Sequence, residues 1–383
     1  MSPGQRTANN NRYIYIMKFI LNKENLLDAL NSIQGVVEKR GINPILSNVL
    51  FSANDGSLSL TTTDTEVELH ASFETGSLEP VEITLPCRKL TDICKALPKQ
   101  ADIAFSIADG KATLTSGRSL FSLATLPAAD FPRIPFSEGR EETLNIPSVT
   151  FKKVIDKTFF SMALQDVRYY LNGLYFSLTQ DKLLTVTTDG HRLSLCTETL
   201  DEPCETPVNV IIPRKGAQEI LRLLDDSSEN TVLRLIKNHL CVEKGRHKVI
   251  TKLIDAQYPD YEKVIPAGGN KHLSVEKETL KQSLHKASIL SNEKYKGVRL
   301  SIGGGTLEVT THNPEHEEAK DEIDVNYQGE SISIGFNVVY LLDILNVIDG
   351  DEITMTLKDE NSSCLITSQS QAGSQYVVMP MRL

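Results

Sequence analysis

Hydrophobic and polar residues follow one order three times along the chain. Each copy opens with a short apolar strand that runs into an amphipathic helix, then a strand of alternating character, a turn, and a strand rich in threonine. The opening segments are 19–37, 144–162 and 273–290, and the strands after them begin at Ile45, Tyr170 and Lys296. Alternation with a period of two predicts strands with one buried face, whereas apolar residues three and four apart predict helices.

A second helix recurs in each copy, and it is followed by another strand and a final apolar strand that contains proline. Asp64, Asp189 and Asn313 hold matching places, as do Arg88, Arg214 and Asn337, at intervals of about 125 residues. A unit of this length can bury its own core, so the copies are predicted to be domains and not the short units of a solenoid.

The predicted fold class is therefore α+β, with three tandem domains of antiparallel sheet packed outside two helices. The predicted domains are 17–138, 139–267 and 268–383, after an extension at 1–16 that we expect to be disordered. The polar, Asn-rich start has no apolar core like that of a signal peptide, and no apolar run reaches the roughly 20 residues that span a bilayer. We expect a cytoplasmic protein.

The cysteines and acidic residues give no sign of a metal or cofactor site. The six cysteines are irregularly spaced, without the pairing that zinc sites use, and are predicted to be reduced thiols in or near a core. No carboxylate pair lies in a recognisable metal motif, and no phosphate-binding glycine loop is present. Asp189, His191 and Ser194 are close in sequence, but on a strand Ser194 would point away from the other two, which argues against a catalytic triad.

The formal net charge of −10 argues against a nucleic-acid partner, yet basic residues recur at equivalent places on the predicted helices. They include Lys39, Lys152, Lys153, Lys157, Lys277, Lys281, Lys286, Lys89, Lys95, Lys99 and Arg222. Two interpretations remain open. The charges are either the solvated faces of surface helices or a track that attracts phosphates without reading bases.

Several stretches together resemble the bacterial DNA polymerase III beta subunit family, the beta sliding clamps. The resemblance runs from Met17 to Leu383 and rests on segments 121–135, 165–178, 187–195, 211–220, 258–266, 335–345 and 376–383, which reads YVVMPMRL. It implies a non-catalytic processivity factor in which two chains join head to tail, as a ring of six domains around duplex DNA. It implies no cofactor and no membrane contact.

The resemblance also implies three sets of functional residues. The DNA contacts match Arg40, Arg88, Gln165, Tyr169, Tyr170, Arg214 and Lys215. The dimer interface matches Phe121 and Leu123 on one side, with Ile289 and Leu290 on the other. Plain core burial remains an alternative for the four interface residues. Tyr169 and Tyr170 have an alternative as half-buried strand residues.

The third set is a pocket for a short apolar motif of partner proteins, among them the DNA polymerase III alpha subunit and the clamp loader delta subunit. It matches Leu171, Thr188, Gly190, His191, Arg192, Leu193, Pro259, Val264, Val377, Met379, Pro380, Met381 and Arg382. Flexible methionines make an adaptable groove, and Arg192 and Arg382 are expected to hold polar groups of the peptide. Lys263 stands where the family pattern leads us to expect arginine, which keeps the charge but loses the bidentate fork. The rival hypothesis is an acidic adaptor that uses this pocket with no DNA.

Overall fold

The computed structural model describes residues 17–38, 42–54, 56–76, 79–134 and 142–382. The predicted disordered extension at 1–16 and the predicted DNA contact Arg40 lie outside these residues. Among the described residues, each of the three predicted repeats contains two α-helices, and the strand pairings given below are antiparallel.

The first repeat follows the predicted order of strand, helix, strands, helix and strands. Its elements are β1 (Met17–Asn22), α1 (Lys23–Ile33), β2 (Asn48–Asn54), β3 (Ser57–Thr63), β4 (Val67–Glu74), β5 (Val81–Pro86), α2 (Cys87–Ala96), β6 (Asp102–Ala108), β7 (Lys111–Ser116) and β8 (Ser119–Ala124). Lys39 was predicted near the end of the first helix, but α1 ends at Ile33 and Lys39 is not among the described residues.

The second repeat has the same order with longer strands. Its elements are β9 (Glu142–Pro147), α3 (Ser148–Asp156), β10 (Gly173–Thr188), β11 (Arg192–Pro213), α4 (Arg214–Leu223), β12 (Asn230–Ile236), β13 (His239–Lys244) and β14 (His247–Lys252). The register of β10 against β11 shifts at Gln180, which has a φ of 55°. Each of these two strands is therefore long enough to take the place of two strands in the other repeats.

The third repeat matches the first element by element. Its elements are β15 (Lys271–Glu276), α5 (Lys277–Ser288), β16 (Gly297–Gly303), β17 (Thr306–His312), β18 (Glu318–Asp324), β19 (Ile332–Asn337), α6 (Val338–Val347), β20 (Glu352–Leu357), β21 (Cys364–Thr367) and β22 (Ser374–Val378). The glycines between β16 and β17 form a hairpin turn, with Gly304 and Gly305 both at positive φ.

Two kinds of helix start explain why the helices begin where they do. Helices α2, α3 and α4 each follow a proline, whose fixed φ favours the entry into a helix. In contrast, α1, α5 and α6 begin after Asn22, Glu276 and Asn337, whose side chains accept backbone N–H groups of the first turn. These caps satisfy donors that a helix start leaves unpaired.

The strands predicted to begin at Ile45 and Tyr170 begin three residues later in the structure. A 3-10 turn precedes each one, at Pro44–Ser47 and Tyr169–Asn172. In the first of these turns the Asn43 side chain accepts the Ile45 N–H, which is ordinary turn chemistry and not strand pairing. The local turn residues, and not the alternating pattern, therefore decide where these strands begin.

The described residues fall into two compact units, one within Met1–Ser137 and Glu243–Ile250 and the other within Glu138–Val242 and Thr251–Leu383. The first unit holds the sheet β1-β6-β7-β8 and the neighbouring strands β5-β2-β3-β4. The second holds β18-β17-β16-β19 and the sheet β10-β11-β22-β21-β20-β15. This last sheet takes strands from both the second and the third repeat, and the larger part of those two predicted domains lies in the second unit.

Each repeat buries its apolar residues between the sheets and a pair of contacting helices, α1 with α2, α3 with α4, and α5 with α6. Aromatic rings mark the cores of the first two repeats, where Phe19 stacks on Phe105 at 4.8 Å and Phe151 meets Phe176 edge-on at 5.7 Å. In the third repeat Phe336 is fully buried in a cluster that both helices line. The predicted helix-under-sheet arrangement is confirmed.

Candidate functional site

The last strand of the chain joins the second repeat to the third. β22 pairs with β11 so that Leu193 lies opposite Val377 and Arg192 lies opposite Val378. Beyond the strand, the Met379 N–H donates to the His191 carbonyl at 2.9 Å. The ladder thus brings residues that are nearly 200 positions apart in sequence to one place, where the partner pocket was predicted.

An apolar cluster forms the floor of this place. Leu193 and Val377 are buried there with Val186, Ile211 and Tyr258. Partly buried residues pack against the cluster, and they are Tyr170, Tyr175, Leu184, Leu195, Ile254, Ala256, Tyr261, Val264, Ile265 and Leu365. Three of the predicted pocket residues, Leu193, Val264 and Val377, therefore meet in one cluster.

Sequence reasoning missed the tyrosines of this cluster. Tyr175 stacks on Tyr258 with ring centroids 5.0 Å apart, and it meets Tyr261 at 5.9 Å. Burial raises the pKa of the Tyr258 hydroxyl. The segment YPDY supplied the available signal, because an aromatic residue before a proline in a predicted pocket wall is itself a candidate wall residue.

The turn between β10 and β11 forms a second wall. Asp189 Oδ1 accepts the N–H groups of His191 at 2.9 Å and Arg192 at 3.0 Å, and the Thr188 hydroxyl donates to the Arg192 carbonyl at 2.6 Å. Gly190 has a φ of 87°, and a Cβ there would lie 2.9 Å from the guanidinium of Arg168. The backbone angle favours glycine, whereas the close contact is with the end of a flexible side chain that can shift.

This turn corrects the strand placement used against a catalytic triad. Asp189 and His191 lie in the turn and not on a strand, while Ser194 lies in β11. The Ser194 hydroxyl is buried, 2.6 Å from the hydroxyl of Ser161. A triad requires the base to reach the nucleophile, and Ser194 instead has a serine as its hydrogen-bond partner.

The Arg192 side chain has three hydrogen-bond acceptors and an aromatic ring beside it. It donates to Asp189 Oδ2 at 3.1 Å, to Asp343 Oδ2 at 2.6 Å and to the Phe160 carbonyl at 2.8 Å. Its guanidinium carbon lies 4.4 Å from the centroid of the Tyr340 ring. Tyr340 and Asp343 lie on α6 and were not among the predicted site residues, although their spacing of three places them on one helical face.

The remaining pocket residues surround this region at different depths. Met379 is 38% exposed, His191 and Pro259 are exposed, and Leu171 is buried in the 3-10 turn before β10. Pro380 is half-buried after Met379. Met381 and Arg382 line a different cavity, of about 420 Å³, with residues of the third repeat that include Tyr295 and Arg299.

Lys263 forms an ion pair with Asp260, with 2.7 Å between Nζ and Oδ2. The hydrogen bond between them raises the pKa of Lys263 and lowers that of Asp260. Both side chains are largely exposed, so the pair contributes little to folding. Because of this ion pair, the Lys263 ammonium at the rim of the predicted pocket already has a carboxylate partner.

The predicted DNA-contact arginines are partly used inside the fold. Arg88 donates to the Val37 carbonyl at 3.1 Å, and Arg214 donates to the Met162 carbonyl at 2.9 Å. Arg214 also lies over the ring of Phe159 at 4.6 Å. Burial lowers the pKa of Arg214. Each arginine keeps further N–H groups, and Lys215 beside Arg214 is exposed.

Gln165, Tyr169 and Tyr170 lie in or beside an exposed loop. Tyr169 and Tyr170 belong to a 3-10 turn, so their alternative placement on a strand is wrong. Tyr169 is 57% exposed, and its ring meets that of Tyr170 at 6.0 Å. Arg168 forms a bidentate pair with Asp166, which lowers the pKa of Asp166 to about 2 and holds the loop in shape.

Lysines of the predicted phosphate track are paired with carboxylates. Lys152 binds Asp226 at 2.7 Å, Lys153 binds Glu198 at 2.6 Å and Lys157 binds Asp349 at 2.6 Å. Such pairs offset part of the positive potential that phosphates would meet. The helix surface of the second unit is thus less cationic than its lysines alone indicate.

The predicted interface residues lie at element ends and edges. Phe121 and Leu123 belong to β8, an edge strand, where Phe121 is half-buried and Leu123 is 8% exposed. In the second unit, Ile289 follows α5 and is 78% exposed, whereas Leu290 is half-buried. Core burial, the alternative, therefore fits Leu123 but not Ile289.

Comparison with known proteins resolves the family. Models for the N-terminal, central and C-terminal domains of the DNA polymerase III beta subunit match residues 17–135, 145–260 and 262–382. The chain belongs to the DNA polymerase III beta subunit family. The predicted family and its three tandem domains are thereby confirmed.

This chain matches relatives named Beta sliding clamp along their full length. The protein from Pseudomonas putida is 44% identical and that from Escherichia coli K12 43% identical, each over 96% of this chain and 100% of the relative. A crystal structure of the subunit from Pseudomonas aeruginosa superposes with a TM-score of 0.91 at 42% identity, over 96% of this chain and 100% of that one. A Bartonella birtlesii clamp bound to griselimycin gives 0.92 at 32% identity, over the same shares.

Three further observations bear on the other predictions. Among the described residues, no group of histidines, cysteines and carboxylates has the arrangement of a metal site. Five cysteines are buried and unbridged, namely Cys87, Cys94, Cys196, Cys241 and Cys364. Within the described part of the chain, no helix has both the length and the apolar character needed to cross a bilayer.

Proposed function

We propose that two copies of this chain join head to tail into a ring that encircles duplex DNA and tethers the replicative polymerase. The observation that carries this proposal is the match of three tandem clamp domains, which together cover residues 17 to 382, with relatives named Beta sliding clamp along their full length. The ring acts by topology and has no catalytic step of its own. It needs no cofactor, and it works in the cytoplasm.

The partner pocket of this proposal lies where β22 meets β11. The apolar cluster around Leu193 and Val377, and the exposed Met379 beside it, support a site that buries apolar side chains of a short peptide. Methionine adapts its shape, which suits a site for several partners. The proposed partners are the DNA polymerase III alpha subunit, the clamp loader delta subunit and other proteins that carry a clamp-binding motif.

The proposed DNA contacts are sequence-independent. Arg88, Arg214 and Lys215 at the starts of second helices support phosphate contacts, and Gln165, Tyr169 and Tyr170 lie in or beside a loop that reaches solvent. Arg40 is proposed from the family resemblance alone. Since the helix lysines already have carboxylate partners, the attraction to phosphates is weak, which suits a ring that slides.

The proposed dimer places the β8 edge of one copy near the end of α5 of the other. An unpaired edge strand is a hazard that an interface would cover, and Ile289 is an exposed apolar side chain of the kind that interfaces bury. A head-to-tail contact must close by rotation to give a ring and not a filament.

The test is retention on DNA circles after loading by a clamp loader. The proposal expects the protein to stay on nicked circular DNA, to leave once the circle is linearised, and to have about twice the 42.5 kDa chain mass by light scattering. The matched control is Ile289→Ala with Leu290→Lys, which should be monomeric, lose retention and still bind peptide. Equal retention on linear and circular DNA would overturn the ring, and no retention with intact peptide binding would favour the adaptor hypothesis.

A further inference from the structure

Arg192 stands apart from the other predicted pocket residues because acceptors and rings of the fold surround most of its guanidinium. Three of its five N–H groups donate to Asp189, Asp343 and the Phe160 carbonyl, at 2.6 to 3.1 Å. The rings of Tyr340 and Phe160 lie 4.4 and 5.4 Å from the guanidinium carbon. The side chain is only 11% exposed.

An arginine binds a carboxylate or a carbonyl group of a peptide through a fork of two parallel N–H donors. In Arg192 one donor on each of the three nitrogens already has an acceptor within the fold, and the two remaining N–H groups lie on a side chain that is only 11% exposed. A peptide group that bonded to any of the three donors already in use would displace a carboxylate or a carbonyl, which would be left without its partner. Direct recognition by Arg192 is therefore disfavoured.

The acceptors come from two repeats of the second unit. Asp189 and Phe160 belong to the second repeat, next to the turn that forms one wall of the pocket. Asp343 and Tyr340 belong to α6 of the third repeat. The arginine thus links the turn that carries His191 to the helix of the neighbouring repeat.

We propose that Arg192 is a positioning residue of the partner pocket. It fixes α6 against the β10–β11 turn, so that the walls contributed by the two repeats keep the spacing that the peptide requires, and it makes no bond to the peptide itself. The inference rests on the proposed pocket and goes beyond it, because it assigns a role to Arg192 and adds Asp343, a residue outside the predicted site, to the machinery of binding.

A second contact fixes the other end of the same helix. The Lys157 ammonium of the second repeat donates to the Val347 carbonyl and, at 2.6 Å, to Asp349 Oδ1, both just at or after the end of α6. A cation at a helix C-terminus is favoured by the helix dipole. Helix α6 is therefore held by the second repeat near its middle and at its end, and only the contact near its middle adjoins the pocket.

The experiment is a double-mutant cycle on peptide affinity. Arg192→Met, Asp343→Asn and the double variant are titrated with a fluorescent peptide carrying an apolar motif, and with the same peptide after its polar side chains are changed to alanine. Arg222→Met is the control, because it removes an arginine–carboxylate pair of 2.6 Å that lies within one helix. Titrations are run well below the melting temperature of every variant, so that only folded protein is compared.

The proposal expects each single variant to weaken both peptides by the same factor, about tenfold, and the double variant to be no weaker than the weaker single one. Arg192→Lys should fail to rescue, since lysine has neither the fork nor the flat stacking surface. Arg222→Met should bind like the parent. Should Arg192→Met prove unstable, Asp343→Asn alone decides the matter, because direct recognition predicts unchanged or stronger binding once a donor of Arg192 is released.

Three results would overturn the proposal. One is a loss that disappears with the alanine-substituted peptide, another is a loss in Arg192→Met that adds fully to that in Asp343→Asn, and the third is parental affinity in both variants. If the parent protein binds neither peptide, the pocket itself fails, and that outcome is distinct from a failure of Arg192 as its positioning residue.

Discussion

The proposed partner pocket and the helix surface of the second unit use their charged residues in opposite ways. At the pocket, Val186, Leu193 and Val377 are almost fully buried, and the one arginine beside them is enclosed by acceptors and rings. On helix α3, the neighbouring Lys152 and Lys153 each face a carboxylate at the surface. The side chains of the pocket are held in one arrangement before a peptide binds, whereas the surface lysines can exchange one anionic partner for another.

The difference indicates two modes of binding. Burial of apolar surface provides affinity that salt hardly changes, so the pocket is suited to hold one peptide in one pose. Paired surface charges contribute little each and are screened by salt, so the helices are suited to a partner that moves along them. A protein that must hold a polymerase firmly and DNA loosely needs both modes.

The largest expected effect concerns the pocket floor. Leu193→Ala leaves a cavity in a cluster where Leu193 is 1% exposed, and we expect it to lower the free energy of unfolding by about 2–5 kcal/mol. Urea denaturation measures this. Leu164→Ala is the matched control, since Leu164 is 75% exposed and should change stability by less than about 0.5 kcal/mol. Equal effects of the two changes would contradict the buried floor.

The next effect separates the two binding modes by salt. Raising the salt concentration from about 50 to 200 mM should weaken DNA association roughly a hundredfold, because four cationic contacts give a slope of log K against log salt of about −3.6. Peptide affinity should change less than about twofold, since apolar burial dominates there. Anisotropy titrations with a short duplex and with a peptide measure both. A steep salt dependence of peptide affinity would contradict the proposed difference between the two binding modes.

A smaller effect tests whether the carboxylates on α3 restrain the lysines. Asp226→Asn frees Lys152, whose pKa is now raised chiefly by its hydrogen bond to Asp226, and should strengthen DNA association. Lys152→Met should weaken it and reduce the slope of log K against log salt by about 0.9. Changes in the same direction for both variants would show that the pair does not act on DNA.

The smallest effect concerns the loop that carries Tyr169. Its Asp166 has a pKa of about 2, below the ordinary 3.8, mainly because Arg168 donates hydrogen bonds to the carboxylate. A lowered folded-state pKa means that the pair acts fully above pH ~4 and is lost only as the pH falls through about 2. Carboxyl NMR titration checks this, and the pKa of Asp166 should rise towards 3.8 in Arg168→Ala.

Much of this molecule could be predicted from its residue pattern. The three copies and the helix and strand order followed from periodicity. The family resemblance grouped Leu193, Val264 and Val377, which meet in one apolar cluster. The turns were harder to predict. Around Asn43 and Asp189 the sequence pattern predicted strand, but these side chains accept backbone N–H groups and form turns, which a period-two pattern does not reveal. The tyrosines around Tyr258 had a signal that was not used.

The sequence by itself determined the triplication and the local elements, because helix and strand periods are encoded within ten or twenty neighbouring residues. Only the tertiary structure decided which charges meet. Arg192 and Asp343 are 151 positions apart and Lys157 and Asp349 are 192 apart, and each pair forms because β22 of the third repeat pairs with β11 of the second. Long charged side chains take whichever partner the fold brings near, and no local pattern records that choice.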